Sequence, residues 1–187
     1  MNIKVSIKHF LGRLRCMKSG VSHRGGIYIG KNVHIENGKK IKLGHNVSVR
    51  PDCDLFALEV FEIGDSCDIG TRNRIAGNVI IENSVLFGPD NYICSTDHRY
   101  EDITIPVLQQ GAYSPTKNNH SELKIGEGSW IGTHVAIIGD VHIGKHCVIG
   151  ANSVVTRDVP DFCVVAGIPA KVIKRYNSGT QQWETVK

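Results

Sequence analysis

The 187-residue sequence has no apolar run approaching the roughly 20 residues that a membrane-spanning helix needs. No short apolar core with a small-residue cleavage site opens it either, so a soluble, non-exported protein is expected. Aromatic residues are scarce at 6% and prolines number only six, so the core must be built from aliphatic side chains. Six cysteines are present (16, 53, 67, 94, 147 and 163), but no pair has C-x-x-C spacing, and without an export signal they read as free thiols. Acidic residues are missing from the first 28 positions, which hold Lys4, Lys8, Arg13, Arg15, Lys18 and Arg24; the first carboxylate is Glu36. The net charge of +4 therefore divides into a basic arm and a near-neutral body. Such an arm suits an anionic partner or a membrane surface. No helix-turn-helix, zinc-finger or RNP-type pattern accompanies it, so nucleic acid is not an expected partner.

What the sequence does contain is a repeat. Aliphatic or aromatic residues recur every six positions at Ile63, Ile69, Ile75, Ile81, Phe87 and Ile93, and again at Ile125, Ile131, Ile137, Ile143, Ile149 and Val155. At a hydrophobic frequency of 41%, twelve such hits have a chance probability of roughly 2 in 10⁵. Neither a 3.6-residue helical period nor a two-residue strand period isolates every sixth residue. A triangular prism does, with each six-residue unit forming one short strand and one turn, and three units closing a coil. Four positions after each inward residue stands a small or β-branched one, such as Cys67, Asn73, Val79, Ser129 or Cys147, which assigns these cysteines to packing. Ile29, Ile35, Leu43, Val49 and Leu55 extend the register towards the N-terminus with two slips of two residues. The expected class is all-β, a parallel β-helix of hexapeptide repeats over residues 29–165. The basic segment 1–28 is expected to cap one open end, and residues 166–187 to supply a second cap and a polar tail.

Between Ile93 and Ile125 the repeat is interrupted by a long extruded loop, residues 94–124, with two prolines and no repeat of its own. Long insertions in compact folds are usually functional or disordered. Of the nine histidines, only His98 and His120 fall in this loop, and His98 stands five residues beyond a core isoleucine, where the scaffold meets the insertion. His34, His45, His134, His142 and His146 occupy outward or turn positions of the repeat and read as surface residues.

Three motifs refine this picture: Ser-Thr-Asp-His at 95–98, Gly-Ser-Trp-Ile-Gly at 128–132, and Ala-Gly-Ile-Pro-Ala-Lys-Val-Ile-Lys at 166–174. With the repeat, they make residues 29–176 resemble the hexapeptide-repeat acyltransferases, in the branch of maltose, galactoside and polysaccharide O-acetyltransferases. The resemblance implies a left-handed β-helix, a handedness outside the usual right-handed crossover rule, and a homotrimer with sites between subunits. It implies acetyl-CoA as donor, a saccharide hydroxyl as acceptor, and no required metal. His98 is then the catalytic base, which takes the proton of a hydroxyl attacking the thioester. Trp130, Thr133 and Ala151 match positions along the donor, and Thr156, Arg157, Lys171 and Lys174 match its phosphate end. The expected location is cytoplasmic, peripheral at the inner membrane face through the basic arm.

The sequence also departs from that branch. Residues 1–28 do not resemble the helical N-terminal domain of the maltose and galactoside enzymes, and their Asn-Phe-Asn acceptor motif is replaced by Gly-Thr-Arg-Asn-Arg at 70–74. Arg72, Asn73, Arg74 and Asp97 are the candidate acceptor contacts, and the arginines suit a phosphorylated, nucleotide-linked or acidic sugar. N-acetylation of an amino sugar would use the same base and donor. Two further readings share the repeat: a γ-carbonic-anhydrase-like metal hydratase, which needs three converging histidines, and an inactive β-helix scaffold.

Overall fold

In the computed structural model, residues 3–113 and 121–186 are described. His120 lies outside them. The body is a β-solenoid of about seven turns with few helices. Its coils have three faces. The first carries short strands such as Tyr28–Ile29, Asp68–Ile69, Leu86–Phe87, Trp130–Ile131 and Val148–Ile149. The second carries His34–Glu36, Tyr92–Cys94, Ala136–Ile138 and Val154–Val155, and the third carries Ser22–His23, Ile41–Leu43, Leu123–Ile125 and His142–Ile143. The longer strands Asp54–Ile63 and Arg74–Ile81 run across the second and third faces. Neighbouring coils pair in parallel, with Trp130 opposite Leu86 below and Val148 above. All twelve residues of the six-residue register are buried, as are the small residues between them. The two columns are the two inward positions of each short strand, Cys67 with Ile69, or Asn73 with Ile75, because alternate side chains point to the same side of a strand.

Two corners of each coil are turned by residues with positive φ. Asn32, Asp52, Arg72, Asp90, His134 and Asn152 stack between the first and second faces; Asn46, Ser66, Ser84, His146 and Phe162 stack between the third and first. Asn, Asp and His tolerate this left-handed conformation better than most side chains. Two residues before most of these positions stands a glycine, because coils approach closely there: a Cβ on Gly70 would lie 2.5 Å from the Gly88 carbonyl oxygen.

The third corner, between the second and third faces, takes every insertion. The first slip in the register is a 3₁₀ turn at Gly38–Lys40, the second an irregularity between Ala57 and Phe61, and the long loop leaves after Tyr92–Cys94 and re-enters at Leu123–Ile125.

Within residues 1–28, helix α1 (Ile3–Ser19) packs on the first coil, and the first parallel rung is Ser22–His23 opposite Lys42–Leu43. At the other end, Cys163–Gly167 continues the first face and pairs antiparallel with Ala170–Asn177. Residues 182–185, read from their polarity as tail, instead form a third antiparallel strand on Ala170–Asn177, joined through a turn at 178–181. Asn177 organises that turn by accepting hydrogen bonds from the backbone N–H groups of Gly179 and Thr180. The Trp183 ring meets Tyr176 edge-on at 5.5 Å, a contact invisible to hydropathy.

Candidate active site

The loop that carries His98 is organised rather than structureless. Asp97–His98 pairs antiparallel with Ala112–Tyr113, and between them lies a one-turn helix, α2 (Val107–Gln110). The Gln110 side chain ties the hairpin together: its amide donates to the carbonyl oxygens of Asp102 and Ile105, and its oxygen accepts from the Asp102 N–H. Asp102 accepts from the backbone and hydroxyl of Thr104, and those hydrogen bonds hold its carboxyl below the usual range.

The root of the hairpin is fixed to the scaffold by residues that the sequence reading passed over. Ser95 is fully buried, and its hydroxyl accepts a hydrogen bond from the Asn78 N–H at 2.8 Å. The Asn78 side-chain oxygen in turn accepts from the N–H groups of Glu59 and Val60 one coil below. Gly77 makes room for this contact: its φ is +104°, and a Cβ there would fall 2.1 Å from the Ser95 hydroxyl. The signal for such an anchor is one buried serine at the exit of an insertion, which spacing alone does not single out.

His98 itself is exposed, and among the described residues its ring makes no hydrogen bond. The Asp97 carboxylate accepts from the His98 backbone N–H at 2.8 Å. Tyr92, on the second face below the hairpin, was also missed by the motif reading; it is visible only as the outward residue preceding core Ile93. Burial raises the Tyr92 phenol pKa, a hydrogen bond with Cys94 adds to it, and Arg74 and Asp97 act on it electrostatically in opposite directions. Arg74 stands beside Tyr92 in the parallel register and lines a cavity of about 410 Å³ with His34, Glu36, Asp54 and Phe56. Arg74 and Tyr92 are thus neighbours on the second face, and Asp97 acts on Tyr92 from the base of the hairpin.

The remaining predicted residues divide between corners. Thr156 and Arg157 are exposed just past Val154–Val155, at the insertion corner from which the His98 loop departs. Thr133 and Ala151 occupy the opposite edge of the second face on successive coils, where the Asn152 N–H donates to the Thr133 carbonyl and the Thr133 hydroxyl donates to that of Pro89. Trp130, half exposed, precedes them on the first face. Lys171 and Lys174 are exposed on Ala170–Asn177, opposite Ala166 and Val164, where that strand continues the first face. Within one copy Trp130, Thr133 and Ala151 stand across the second face from the His98 root, whereas Thr156 and Arg157 share its corner; Thr133 and Gly139 are separated by about 20 Å of extended chain at most.

Two of the candidate acceptor contacts have structural partners. Asn73 is 1% exposed; its amide donates to the carbonyl oxygens of Gly70 and Gly88, and its oxygen accepts from the Asn91 N–H. It is a corner-holding core residue without a free face for substrate, and its place among the acceptor contacts is corrected accordingly. Arg72 makes a two-pronged pair with Asp90, at 2.6 and 2.8 Å, although the pair is open to solvent. The buried cysteines at small positions also serve packing: the Cys53 thiol donates to the Gly70 carbonyl, and burial raises its pKa.

A larger cavity, about 640 Å³, lies against the third face and is lined by His23, Arg24, Lys42, Glu62, Glu82 and Lys145 among others. None of the predicted site residues borders it. Among the described residues no three His, Cys, Asp or Glu side chains converge to hold a metal ion.

A parallel solenoid of six-residue units, with a histidine-bearing hairpin anchored at one corner, defines a hexapeptide-repeat β-helix protein. Residues 123–157 match the family model described as bacterial transferase hexapeptide (six repeats). A probable acetyltransferase of Mycobacterium tuberculosis is 33% identical over 168 residues, covering 87% of this chain and 54% of that protein. A putative lipopolysaccharide biosynthesis O-acetyl transferase of Escherichia coli is 33% identical over 160 residues, 81% of this chain and 80% of that protein. The chain therefore spans about half the length of the first relative and four-fifths of the second. Among solved structures, a mutant N-acyltransferase from Bacillus cereus in complex with dTDP and coenzyme A superposes with a TM-score of 0.75 at 20% identity, covering 90% of this chain and 91% of that one. A mutant GDP-perosamine N-acetyl transferase from Caulobacter crescentus, in complex with CoA and GDP-perosamine, gives 0.58 at 21% identity, covering 86% and 64%. The chain belongs to the hexapeptide-repeat acetyltransferase family, and its solenoid is the left-handed parallel β-helix.

Proposed function

We propose that this chain is an acetyl-CoA-dependent O-acetyltransferase whose acceptor is a saccharide hydroxyl in a surface-polysaccharide precursor on the cytoplasmic side of the membrane. The observation that carries this reading is an exposed His98 on a hairpin pinned to the scaffold through Ser95, in a chain that covers 80% of a relative named as a lipopolysaccharide O-acetyl transferase.

The neutral imidazole of His98 accepts the proton of the acceptor hydroxyl as its oxygen attacks the thioester carbonyl. The new C–O bond forms, a tetrahedral oxyanion develops, and the C–S bond then breaks. The imidazolium returns its proton to the departing thiolate, so the residue ends as it began. Such general-base assistance is worth about 10²–10⁴ in rate. Trp130, Thr133 and Ala151 would lie along the pantetheine arm, with Thr156, Arg157, Lys171 and Lys174 meeting the nucleotide phosphates. Arg72, Arg74 and Asp97 are the acceptor contacts of the reading, with Tyr92 added beside Arg74.

The placement of the Trp130–Thr133–Ala151 group and the His98 root on opposite edges of the second face favours a site shared between copies. In the homotrimer of this reading, the hairpin of one protomer faces the donor edge of the next. The basic helix and the C-terminal antiparallel strands close the ends of the β-helix domain.

The test is release of free thiol from acetyl-CoA with saccharide acceptors, by the full chain and by His98→Ala. A fall in kcat of about 10²–10⁴ with donor binding retained supports the reading. An unchanged rate removes His98 from catalysis, and failure to bind acetyl-CoA removes the reading altogether. Paired hydroxyl and amino sugars distinguish O-transfer from N-transfer; the two superposed structures are named as an N-acyltransferase and an N-acetyl transferase.

A further inference from the structure

Helix α1 has two unlike sides. One side lies on the first coil: Cys16 is fully buried, and a Cβ on Gly12 would come 2.5 Å from the Ile27 carbonyl oxygen. The Arg15 guanidinium donates to the Ile29 carbonyl. The other side is bare and apolar. Phe10 is 62% exposed, Leu14 45% and Met17 75%. These residues are spaced four and three apart, which puts them on one stripe of a helix, and Ile7 and Ile3 continue the same spacing in the sequence.

The charges beside that stripe have one sign. Arg13 and Lys18 are exposed and, among the described residues, form no ion pair. On the body of the solenoid, by contrast, Arg50 and Arg72 each hold an aspartate of the next coil. Lys4 and Lys8 add to the basic excess, and the segment has no acid to offset it. A heptad-like stripe of this kind is also what a coiled-coil seam presents. A second copy of α1 would, however, bring two basic, acid-free flanks together and repel. The stripe needs an apolar partner edged with negative charge.

We infer that α1 is an in-plane membrane anchor: Phe10, Leu14 and Met17 enter the acyl boundary of an anionic bilayer while Arg13 and Lys18 meet its headgroups. A helix lying in the interface buries its apolar side about 5–10 Å deep, and long basic side chains reach back to the phosphates. Among the described residues no helix is long and apolar enough to cross a membrane, so α1 lies on the surface rather than spanning it. Because Gly12 and Cys16 clamp its opposite side to the first coil, the anchored helix holds the solenoid at the lipid surface.

The test is flotation of the purified full chain with vesicles of phosphatidylcholine alone, or with about one-third phosphatidylglycerol, at low and high salt. The wild-type chain floats with the anionic vesicles, roughly tenfold or more above neutral ones, and salt weakens the binding. The triple variant Phe10→Ala, Leu14→Ala, Met17→Ala abolishes flotation without lowering the unfolding midpoint, since all three side chains are exposed. Arg13→Gln with Lys18→Gln removes the preference for anionic lipid. The inference is overturned if the wild-type chain does not float with anionic vesicles, which leaves an acidic protein as the occupant. It is equally overturned if the triple variant floats as well as wild type, or if it only lowers the sedimenting mass, which would show a second copy covering the stripe.

Discussion

Ser95 shows how much one buried hydroxyl controls. It is the acceptor for the Asn78 N–H, and that link joins the His98 hairpin to two coils of the scaffold. Ser95→Ala leaves a buried donor unsatisfied and is expected to cost about 1–3 kcal/mol in chemical unfolding. On the proposed function, loosening of the hairpin root lowers kcat further than stability alone accounts for while acetyl-CoA binding is retained; an unchanged kcat removes Ser95 from hairpin positioning. Burial also determines the character of the cysteines. The Cys16 thiol is pushed up to about 11 by desolvation, so it stays protonated and unreactive at neutral pH. The sequence already assigned Cys67 and Cys147 to packing, and their buried thiols donate to the backbone carbonyl oxygens of Glu82 and Pro160. Asn73 was harder to place, because an amide between two arginines looks like a ligand contact until its three backbone partners are seen.

At the scale of elements, the hexapeptide unit was legible because its side chains have an invariant destination. Every sixth residue enters the same interior, whatever the coil. Insertions carry no such period, and their shared placement at one corner is apparent only when the coils are stacked. The other two corners are closed by positive-φ residues and by glycines in contact with the next coil, which leaves no room for extra chain. Helix α1 was visible only as a basic segment expected to cap one end of the coils. Its seating depends on Gly12, and Gly12→Ala drives a Cβ against the Ile27 carbonyl oxygen, where only backbone can yield. An overpacking cost of about 1–3 kcal/mol is expected, seen as a lower thermal midpoint and faster proteolysis within residues 3–19, with the solenoid itself intact.

Across the whole molecule, coils are laced by ion pairs between neighbours, including Arg50 with Asp68, Arg72 with Asp90 and Lys124 with Glu82. Side-chain hydrogen bonds from Lys124 and Arg72 hold Glu82 and Asp90 below the usual carboxylate range. A carboxylate with a depressed folded-state pKa stabilises the fold above its unfolded value and loses that contribution as pH falls through the folded one. Urea midpoints are therefore expected to be level near neutrality and to decline below about pH 5, the range where unfolded carboxylates begin to protonate. The decline is modest because the pairs are solvent-exposed, and Arg72→Ala shallows it. A midpoint that rises on acidification would contradict this assignment.

By itself, the sequence determined the solenoid, its three-sided cross-section, the site of the interruption and the histidine within it. These follow from local rules: the alternation of a strand, the length of a turn, and burial of one residue in six. Only the tertiary structure decided which corner extrudes the hairpin, that the Asn73 amide is taken up by backbone partners, that Tyr92 stands beside Arg74, and that Thr133 and Ala151 lie across the second face from the root of the His98 hairpin. Those relations join residues a coil or more apart, through stacking contacts that leave no period in the chain.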